Sequence, residues 1–577
     1  MARSDPLPPL TGETARYGWA VHAIAPREHL VGFAGLSPLL IQLLWNRGIR
    51  SADEIHAFLA GATAPVHSPW ELHGITAAVD RIARARVRGE SVVVYGDYDV
   101  DGITSTVLLT ECLRMLGVNA RPFVPRRHVE GYGLNRDALN RLRQDGTSLV
   151  VAVDCGISGA AEVEAARQIG LEVIIADHHH VPDIIPDAVA VINPKQPSCR
   201  YPFKELCAVG LAYQLARALG ERLAGDAAFA ERWLDLVALG TVADVVPLVG
   251  ENRTLVLRGL PRLNTSQRPG VRALALRAGI PPGEIDARAI AYALAPRLNA
   301  TGRLADASVS VRLLLTGSEE EARSLAGELD ALNRERQRLT DAALTQAREE
   351  ILARDQLPKL LLVAGADYPS GVVGLVAARL VEEFWRPAVV LEVDSEIARG
   401  SARSIDGFHI AEALARCADL LARHGGHARA AGFTVPLDRL DELRARLEAI
   451  ANAEISDVDL MPRLTIDAEI RLARYGAALG DLVRQLEPFG FGNPVPLFLS
   501  RRIRVLEARA VGQDEPAHLR LRLHDGTTTW DAIGFGMGAQ CGEVGEHADI
   551  VYSVERTIWN GSPRLRLRLR DLRPSVT

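Results

Sequence analysis

The sequence has no CxxC pair: its six cysteines, Cys112, Cys155, Cys199, Cys207, Cys417 and Cys541, are scattered along 577 residues. That spacing suggests neither a disulfide framework nor a zinc site, and it fits a reducing cytoplasm. Long apolar runs are missing too. The richest early stretch, "VGFAGLSPLLIQLLW", is broken by Pro38 and too short to span a bilayer, so no membrane contact is expected. The opening "MARSDPLPPLTGE" lacks the basic-then-apolar plan of a signal peptide, and a cytoplasmic location is the expectation. There is no low-complexity tract, no convincing repeat and no overall positive charge. With a net charge of −6, a polyanionic partner must be met by a local basic surface instead of the field of the whole molecule. The remaining composition, 48% hydrophobic and 24% charged, is that of an ordinary globular chain long enough for several domains.

What is present is an ordered change of pattern. Residues 1–85 read as a helical lead-in, with short amphipathic pieces such as "LLIQLLWNRGI" and "ADEIHAFLAG". From 86 to 316, short apolar runs ("SVVVYG", "SLVVAVD", "LEVIIAD", "AVAVIN") alternate with helical stretches, and helices dominate the later part. Continuous apolar strands interleaved with helices indicate a parallel, doubly wound sheet that binds ligands beyond the carboxyl ends of its strands. Residues 317–356 place apolar side chains at helical spacing from Leu325 to Ile351, with Ser318 and Glu321 set as a capping box. They predict a long helix connecting two lobes. A second α/β unit spans 357–458, and residues 459–577 turn β-rich. There "PRLRLRLRDL" alternates so that Arg564, Arg566, Arg568 and Arg570 share one face of a strand.

The chemistry concentrates after the strands of the first unit. "DYDVDG" satisfies the first half of the EF-hand pattern, but Leu108 stands where a bidentate Glu is required and a strand precedes the loop where a helix is required. That reading is excluded. Asp97, Asp99 and Asp101 follow the first strand, Asp154 follows the second in "VVAVDCG", and Asp177, His178, His179 and His180 follow the third in "VIIADHHH". Asp244 comes later, in "ALGTVADVVPL". One Asp after a strand is ordinarily a turn former or a helix cap. Several on one rim repel each other unless a cation compensates. Oxygen-rich ligation with one or two imidazoles suits Mn²⁺ or Mg²⁺.

These motifs, "GDYDVDG", "VDCG", "DHHH" and "GTVADVVPL", resemble in order those of the DHH phosphoesterase family, in its RecJ branch of single-strand exonucleases. "GYGLN", "ALAPRLNATGRL", "LDALNRERQ", "RGSARSIDGFHI", "GGHARAAGF" and "EPFGFGNPVPLF" extend the resemblance over most of the chain from about 30 to 500. It implies an α/β architecture: a parallel-sheet DHH domain, a long connecting helix, a second α/β (DHH-associated) domain and a β-barrel OB-fold domain. It also implies two metal ions, Mn²⁺ or Mg²⁺. Asp99 with Asp97 would serve one, Asp101, His178 and Asp244 the other, and Asp154 would bridge them. His179 would stand beside the scissile phosphate as a hydrogen-bond donor or proton-transfer group. Asp177 is placed to orient a neighbouring histidine, and His180 is assigned a solvated or structural role.

The resemblance further implies phosphate contacts from Arg303 in "NATGR", from Arg403 and Ser404 in "SARS", and from Gly425, Gly426 and His427 in "GGHARAAG". The two glycines are read as a mobile backbone nest. The alternating arginine face is either an ordinary solvated strand face or, within an OB-like barrel and with Phe535 and Trp559 as stacking aromatics, a groove for a single strand. The sequence departs from the family's pattern at Cys155, where Asn is commoner, at Pro369, where His is expected, and at Ala402, where Gly is commoner; past residue 500 the match is one of character only. The implied activity is hydrolysis of single-stranded DNA to mononucleotides, 5′ to 3′, in recombination and repair, with a single-strand-binding protein and a helicase as partners. One rival is a short-oligonucleotide hydrolase or phosphatase with the same site, but such enzymes are shorter and lack the β-rich end. The other is a non-catalytic single-strand-binding scaffold, which would have lost the metal ligands.

Overall fold

A computed structural model describes residues 17–33, 35–126, 133–512, 517–559 and 562–575. Gly131 and Tyr132 of the "GYGLN" motif and the side chain of Trp559 therefore lie outside the described residues. All six cysteines are free thiols, and no helix among the described residues is long and apolar enough to cross a membrane.

Strands Ser91–Tyr95, Thr147–Val153 and Glu172–Ala176 are buried almost throughout, as strands covered on both faces must be. With Asn119–Phe123 and Ala190–Ile192 they make a five-stranded parallel sheet. Helices Val100–Met115 and Ala208–Leu219 pack on the face that carries Val92 and Val94. Helices Arg136–Gln144 and Ala160–Gln168 pack on the face that carries Val93 and Tyr95. Ser91–Tyr95 lies between Asn119–Phe123 and Thr147–Val153, so the strand order reverses at its carboxyl end. Open α/β sheets bind ligands at such a reversal.

The predicted connector is a 34-residue helix, Glu319–Leu352, about 51 Å long at 1.5 Å per residue. Ser318 Oγ accepts the Glu321 N–H at 3.3 Å. The Glu321 carboxylate turns instead to Thr316 Oγ1 at 2.6 Å and Arg312 at 2.8 Å, so only half of the expected capping box forms. Ala322, Leu325, Ala326 and Leu329 belong to the core of the first lobe. Ala343, Leu344, Ala347 and Ile351 pack against Leu361, Val363 and Val390 of the second. One helix thus has its two halves in different cores.

The second lobe holds a five-stranded sheet in the order Arg423–His427, Ala430–Pro436, Ile397–Arg403, Ala388–Val393, Leu361–Gly365. Beyond it, Phe498–Val511, His518–His524, Thr529–Gly534, Ser562–Pro574 and His547–Trp559 pair in sequence around a ring. His547–Trp559 returns to pair with Phe498–Val511, which closes a five-stranded barrel and removes its edges.

Two expectations change here. The lead-in is not wholly helical: Gly18–Val21 is a strand, paired in parallel with Arg463–Ile466, and four residues are too few to display a period of two. Helix Pro38–Asn46 then buries Leu39, Leu40, Ile41, Leu43 and Leu44 in the core shared with the barrel. The arginine face is in part tied down by an ion-pair network. Arg566 and Arg568 donate to Glu555 on the adjacent strand at 3.2 and 3.1 Å, and Arg288 of the first lobe reaches the same carboxylate at 3.4 Å. Buried Arg568 lies over the Phe535 ring at 5.2 Å and the His518 ring meets it edge-on at 5.0 Å, so the half-buried Phe535 already has partners on its ring. A single strand's pattern does not disclose the carboxylate on its neighbour.

Arg253, in helix Gly250–Asn264, fastens the first lobe to the barrel. Its buried guanidinium donates to the carbonyls of Leu486 at 3.0 Å, Gln485 at 3.2 Å and Glu487, and lies over the Phe58 ring at 4.0 Å. Arg253→Ala is expected to weaken this junction by about 3 kcal/mol, the cost of several buried acceptors left without a charged donor. Calorimetry should show the barrel's transition moving to lower temperature, and limited proteolysis should open the chain near residues 485–494.

Candidate metal centre and cleft

The loop after strand Ser91–Tyr95 is shaped by two close approaches. A Cβ on Gly96 would stand 1.9 Å from Thr106 Oγ1, and one on Gly102 would stand 2.6 Å from the Asp97 carbonyl oxygen; only glycine permits either. Asp99 caps helix Val100–Met115, its Oδ1 accepting the N–H groups of Asp101 at 2.9 Å and Gly102 at 3.1 Å. Asp101 is held by a different element, the amino end of helix Ala208–Leu219, whose Ala208 and Val209 N–H groups donate to its two oxygens at 2.7 and 2.8 Å. Helix Ala295–Leu304 closes the other side: Asn299 Oδ1 accepts the Val100 N–H at 3.1 Å. Gly302 lies where a Cβ would stand 2.6 Å from the Tyr98 carbonyl oxygen.

The register of the sheet brings the remaining groups to the same rim. The Asp154 N–H donates to the Ala176 carbonyl at 3.1 Å and the Asp177 N–H to the Ile192 carbonyl at 3.0 Å. Asp154 takes φ +62°, a left-handed conformation tolerated by Asp more readily than by most residues. Asp244 ends helix Leu234–Ala243, where the helix dipole disfavours a negative charge. Ligand atoms of Asp101, His178 and Asp244 lie within 4.8 Å of one another, and so do those of Asp97, Asp99 and Asp154. His178 Nε2 stands 3.3 Å from Asp154 Oδ1, 3.7 Å from Asp244 Oδ2 and 3.8 Å from Asp101 Oδ2.

These groups cannot neutralise each other. Burial, with Asp99, Asp101, Asp97 and Asp244 around it, pushes Asp154 well above the ordinary carboxylate range. Burial and the charge of Asp99 push Asp101 up to about 7. Burial with Asp101 and Asp99 pushes Asp244 up to about 9. Burial and then His179 lower His178 to about 3, so its ring is neutral. Asp154 Oδ1, His178 Nε2 and Asp244 Oδ2 are buried without hydrogen-bond partners. Carboxylates and a neutral imidazole converging with orphaned lone pairs fit hard divalent cations with oxygen-rich shells.

Asp177 stands apart from this set. Its oxygens accept from the Ile157 N–H at 3.0 Å, the His179 N–H at 3.1 Å and His179 Nδ1 at 2.6 Å. Burial lowers the His179 pKa, but the Asp177 hydrogen bond and the surrounding carboxylates outweigh it and raise it. Adjacent histidines are therefore pushed in opposite directions, one towards a ligand and the other towards a proton donor. His180 is exposed.

Across the cleft the expected phosphate contacts fare unevenly. Arg303 Nη1 donates to the Gly371 carbonyl at 3.4 Å. Arg403 donates to Ser401 Oγ at 3.1 Å and the Ala402 carbonyl at 2.9 Å, and its Nη2 would be 3.1 Å from a Cβ on Gly374. The two arginines, from different lobes, thus flank the amino end of helix Val373–Phe384. Ser404 is buried and donates to the Phe408 carbonyl at 2.7 Å; the hydroxyl beside Arg403 is that of Ser401, two positions earlier and on the same face of the strand. Gly425, Gly426 and His427 are not a loop nest. They lie in exposed edge strand Arg423–His427, where His427 opposes Ala430, itself opposite Arg403.

A carboxyl raised on folding lends stability below its unfolded value of about 4 and withdraws it as pH climbs towards the folded value, about 9 for Asp244. In EDTA, Asp244→Asn is expected to be more stable than the natural protein, by a margin that widens from about pH 4 to about pH 9. The slope is at most about 1.4 kcal/mol per pH unit. Saturating Mn²⁺ should reverse the order. Urea unfolding at several pH values measures both.

Comparison with known proteins adds three matches along the chain: the DHH family N-terminal domain over residues 91–241, the DHHA1 domain over 357–453 and the RecJ OB domain over 466–571. The single-stranded-DNA-specific exonuclease RecJ of Bacillus subtilis is 38% identical over 540 residues, 93% of this chain and 68% of that one. RecJ of Escherichia coli is 38% identical over 527 residues, 87% and 90% of the two chains. The crystal structure of RecJ from Thermus thermophilus in complex with Mn²⁺ matches with a TM-score of 0.83 at 31% identity, covering 97% of this chain and 80% of that one. With matches of this identity along nearly its whole length, the chain belongs to the RecJ family.

Proposed function

We propose that the protein is a divalent-metal-dependent exonuclease that degrades single-stranded DNA to mononucleotides, working from the 5′ end in recombination and repair. The carrying observation is the convergence of Asp97, Asp99, Asp101, Asp154, His178 and Asp244 on one rim, with Asp154 Oδ1, His178 Nε2 and Asp244 Oδ2 buried and without hydrogen-bond partners. Asp99 and Asp97 would hold one ion, Asp101, His178 and Asp244 would hold the other, and Asp154 would serve both. Mn²⁺ or Mg²⁺ bound there supplies activation of water and compensation of charge on the attacked phosphate. His179, tethered through Nδ1 to Asp177, points its remaining nitrogen at the substrate phosphate and donates a proton. Arg303, Arg403 and Ser401, at the amino end of helix Val373–Phe384, hold a neighbouring backbone phosphate. His427 extends that contact along the sheet.

The domain division that accompanies this reading is 86–316, 317–356, 357–458 and 459–577, after a lead-in over 1–85. A short-oligonucleotide hydrolase has no use for the closed barrel, and a non-catalytic scaffold has no use for an intact metal centre. We assign the protein to the cytoplasm, acting beside a single-strand-binding protein and a helicase that supply the unwound strand.

Digestion of end-labelled single and double strands with Mn²⁺, Mg²⁺ or EDTA tests polarity, strand preference and metal need together. Asp154→Ala is expected to cut the rate about a thousandfold, the equivalent of about 4 kcal/mol of barrier; full activity in that variant would overturn the assignment. Arg403→Ala should leave kcat nearly unchanged and raise KM, while reducing the slope of log KM against log salt by about 0.7, one single-strand phosphate contact.

A further inference from the structure

The "EPFGFGNPVPLF" stretch takes no part in the metal centre or the cleft, yet packing accounts for nearly all of it. Fully buried Asn493 donates to the carbonyls of Leu486 at 2.7 Å and Pro488 at 2.9 Å. Arg47 donates to Asn493 Oδ1 at 2.7 Å and to the Pro494 carbonyl at 2.6 Å. The Leu248 N–H donates to the Phe491 carbonyl at 2.7 Å. The glycines on either side let the loop press on residues 247–249. A Cβ on Gly490 would stand 2.7 Å from Leu248 Cδ1, and one on Gly492 would stand 2.9 Å from Pro247 Cβ.

The Phe491 side chain is what this framework leaves over. It is 62% exposed, on a loop held from both sides, and forgoes the burial that an aromatic ring ordinarily gains. Exposed aromatic side chains among the described residues are Trp70, Tyr292 and Phe491. Trp70 is tied to Glu221 through its indole N–H at 2.6 Å. Phe491 is the one whose segment packs against the residues that directly follow a carboxylate of the metal centre. Between Asp244 and Leu248 lies Val245, also 62% exposed and at φ +63°. A β-branched residue takes that conformation only where its surroundings impose it.

We propose that Phe491 is a stacking step on which a nucleobase of the single strand rests as its backbone enters the metal centre. This rests on the nuclease reading above and names the part of the substrate that the phosphate contacts leave unbound. Every base has a π face, so a ring of this kind grips any sequence. Because the loop is already anchored, little ordering is needed when the strand arrives. The barrel domain then contributes directly to the reacting end of the substrate.

The test uses the full chain with Mn²⁺ and two end-labelled strands of equal length and phosphate count. One carries natural bases; the other is abasic over the four nucleotides at each end. Phe491→Ala is expected to raise KM about tenfold on the natural strand, within the range of a lost base–aromatic stack, with kcat nearly unchanged. Phe491→Trp restores the natural value, and on the abasic strand all three proteins share one KM. Truncating an exposed ring leaves no cavity, so the unfolding temperature should not move. No loss, or an equal loss on both strands, as covering by another protein or a folding defect would give, overturns the proposal. If the natural protein degrades neither strand, the nuclease reading itself falls and takes this one with it.

Discussion

Repulsion among buried carboxylates governs the centre of this molecule. Asp101, Asp154 and Asp244 are each displaced far above the ordinary carboxylate range by burial and by neighbouring carboxylates, Asp99 among them. The imidazole in their midst is kept neutral and does not cancel that charge. A fold can maintain such a cluster only by tethering each side chain from a different direction. Helix amides fix Asp101, the cap of helix Val100–Met115 fixes Asp99, and the ends of adjacent parallel strands fix Asp154 and His178. Rigid backbone on every side converts electrostatic cost into affinity for dications.

The opposite sign is gathered across the cleft. Arg303 and Arg403 come from separate lobes and meet at the amino end of one helix. Positive side chains of both lobes are thus gathered at one helix end, apart from the carboxylates of the metal centre. The helix Glu319–Leu352 sets the separation of the two sides, since its halves are embedded in different cores. The chain's overall negative charge is no obstacle to this, as the attraction is local.

The rim of acidic and imidazole groups is legible in the sequence because each member follows an apolar run, and parallel pairing brings the ends of such runs together. The connector is legible because thirty-odd residues keep one period. Tethers that depend on other elements are not legible: no local pattern announces that the amides of Ala208 and Val209 reach back to Asp101. Strand phase decides between Ser401 and Ser404, and phase depends on which face the sheet buries. Gly425 and Gly426 read as a loop because glycine is the usual mark of one. Their place in a strand follows from the close approach of Ala430 and Ala431 to Gly426. Arg566 and Arg568 look like a free basic face until Glu555 is seen on the next strand.

Strand Gly18–Val21 pairs with Arg463–Ile466, and helix Pro38–Asn46 lies in the same core as the barrel. During synthesis these early segments leave the ribosome with no partner, and their partners are made roughly 450 residues later. At about 5–20 residues per second the delay is roughly 20 to 90 seconds. For that time a helix whose Leu39, Leu40, Leu43 and Leu44 are destined for burial stays uncovered, while the parallel-sheet lobe behind it is free to fold. Strand Gly18–Val21 and helix Pro38–Asn46 are therefore among the last elements to find their places, although they are made well before their partners.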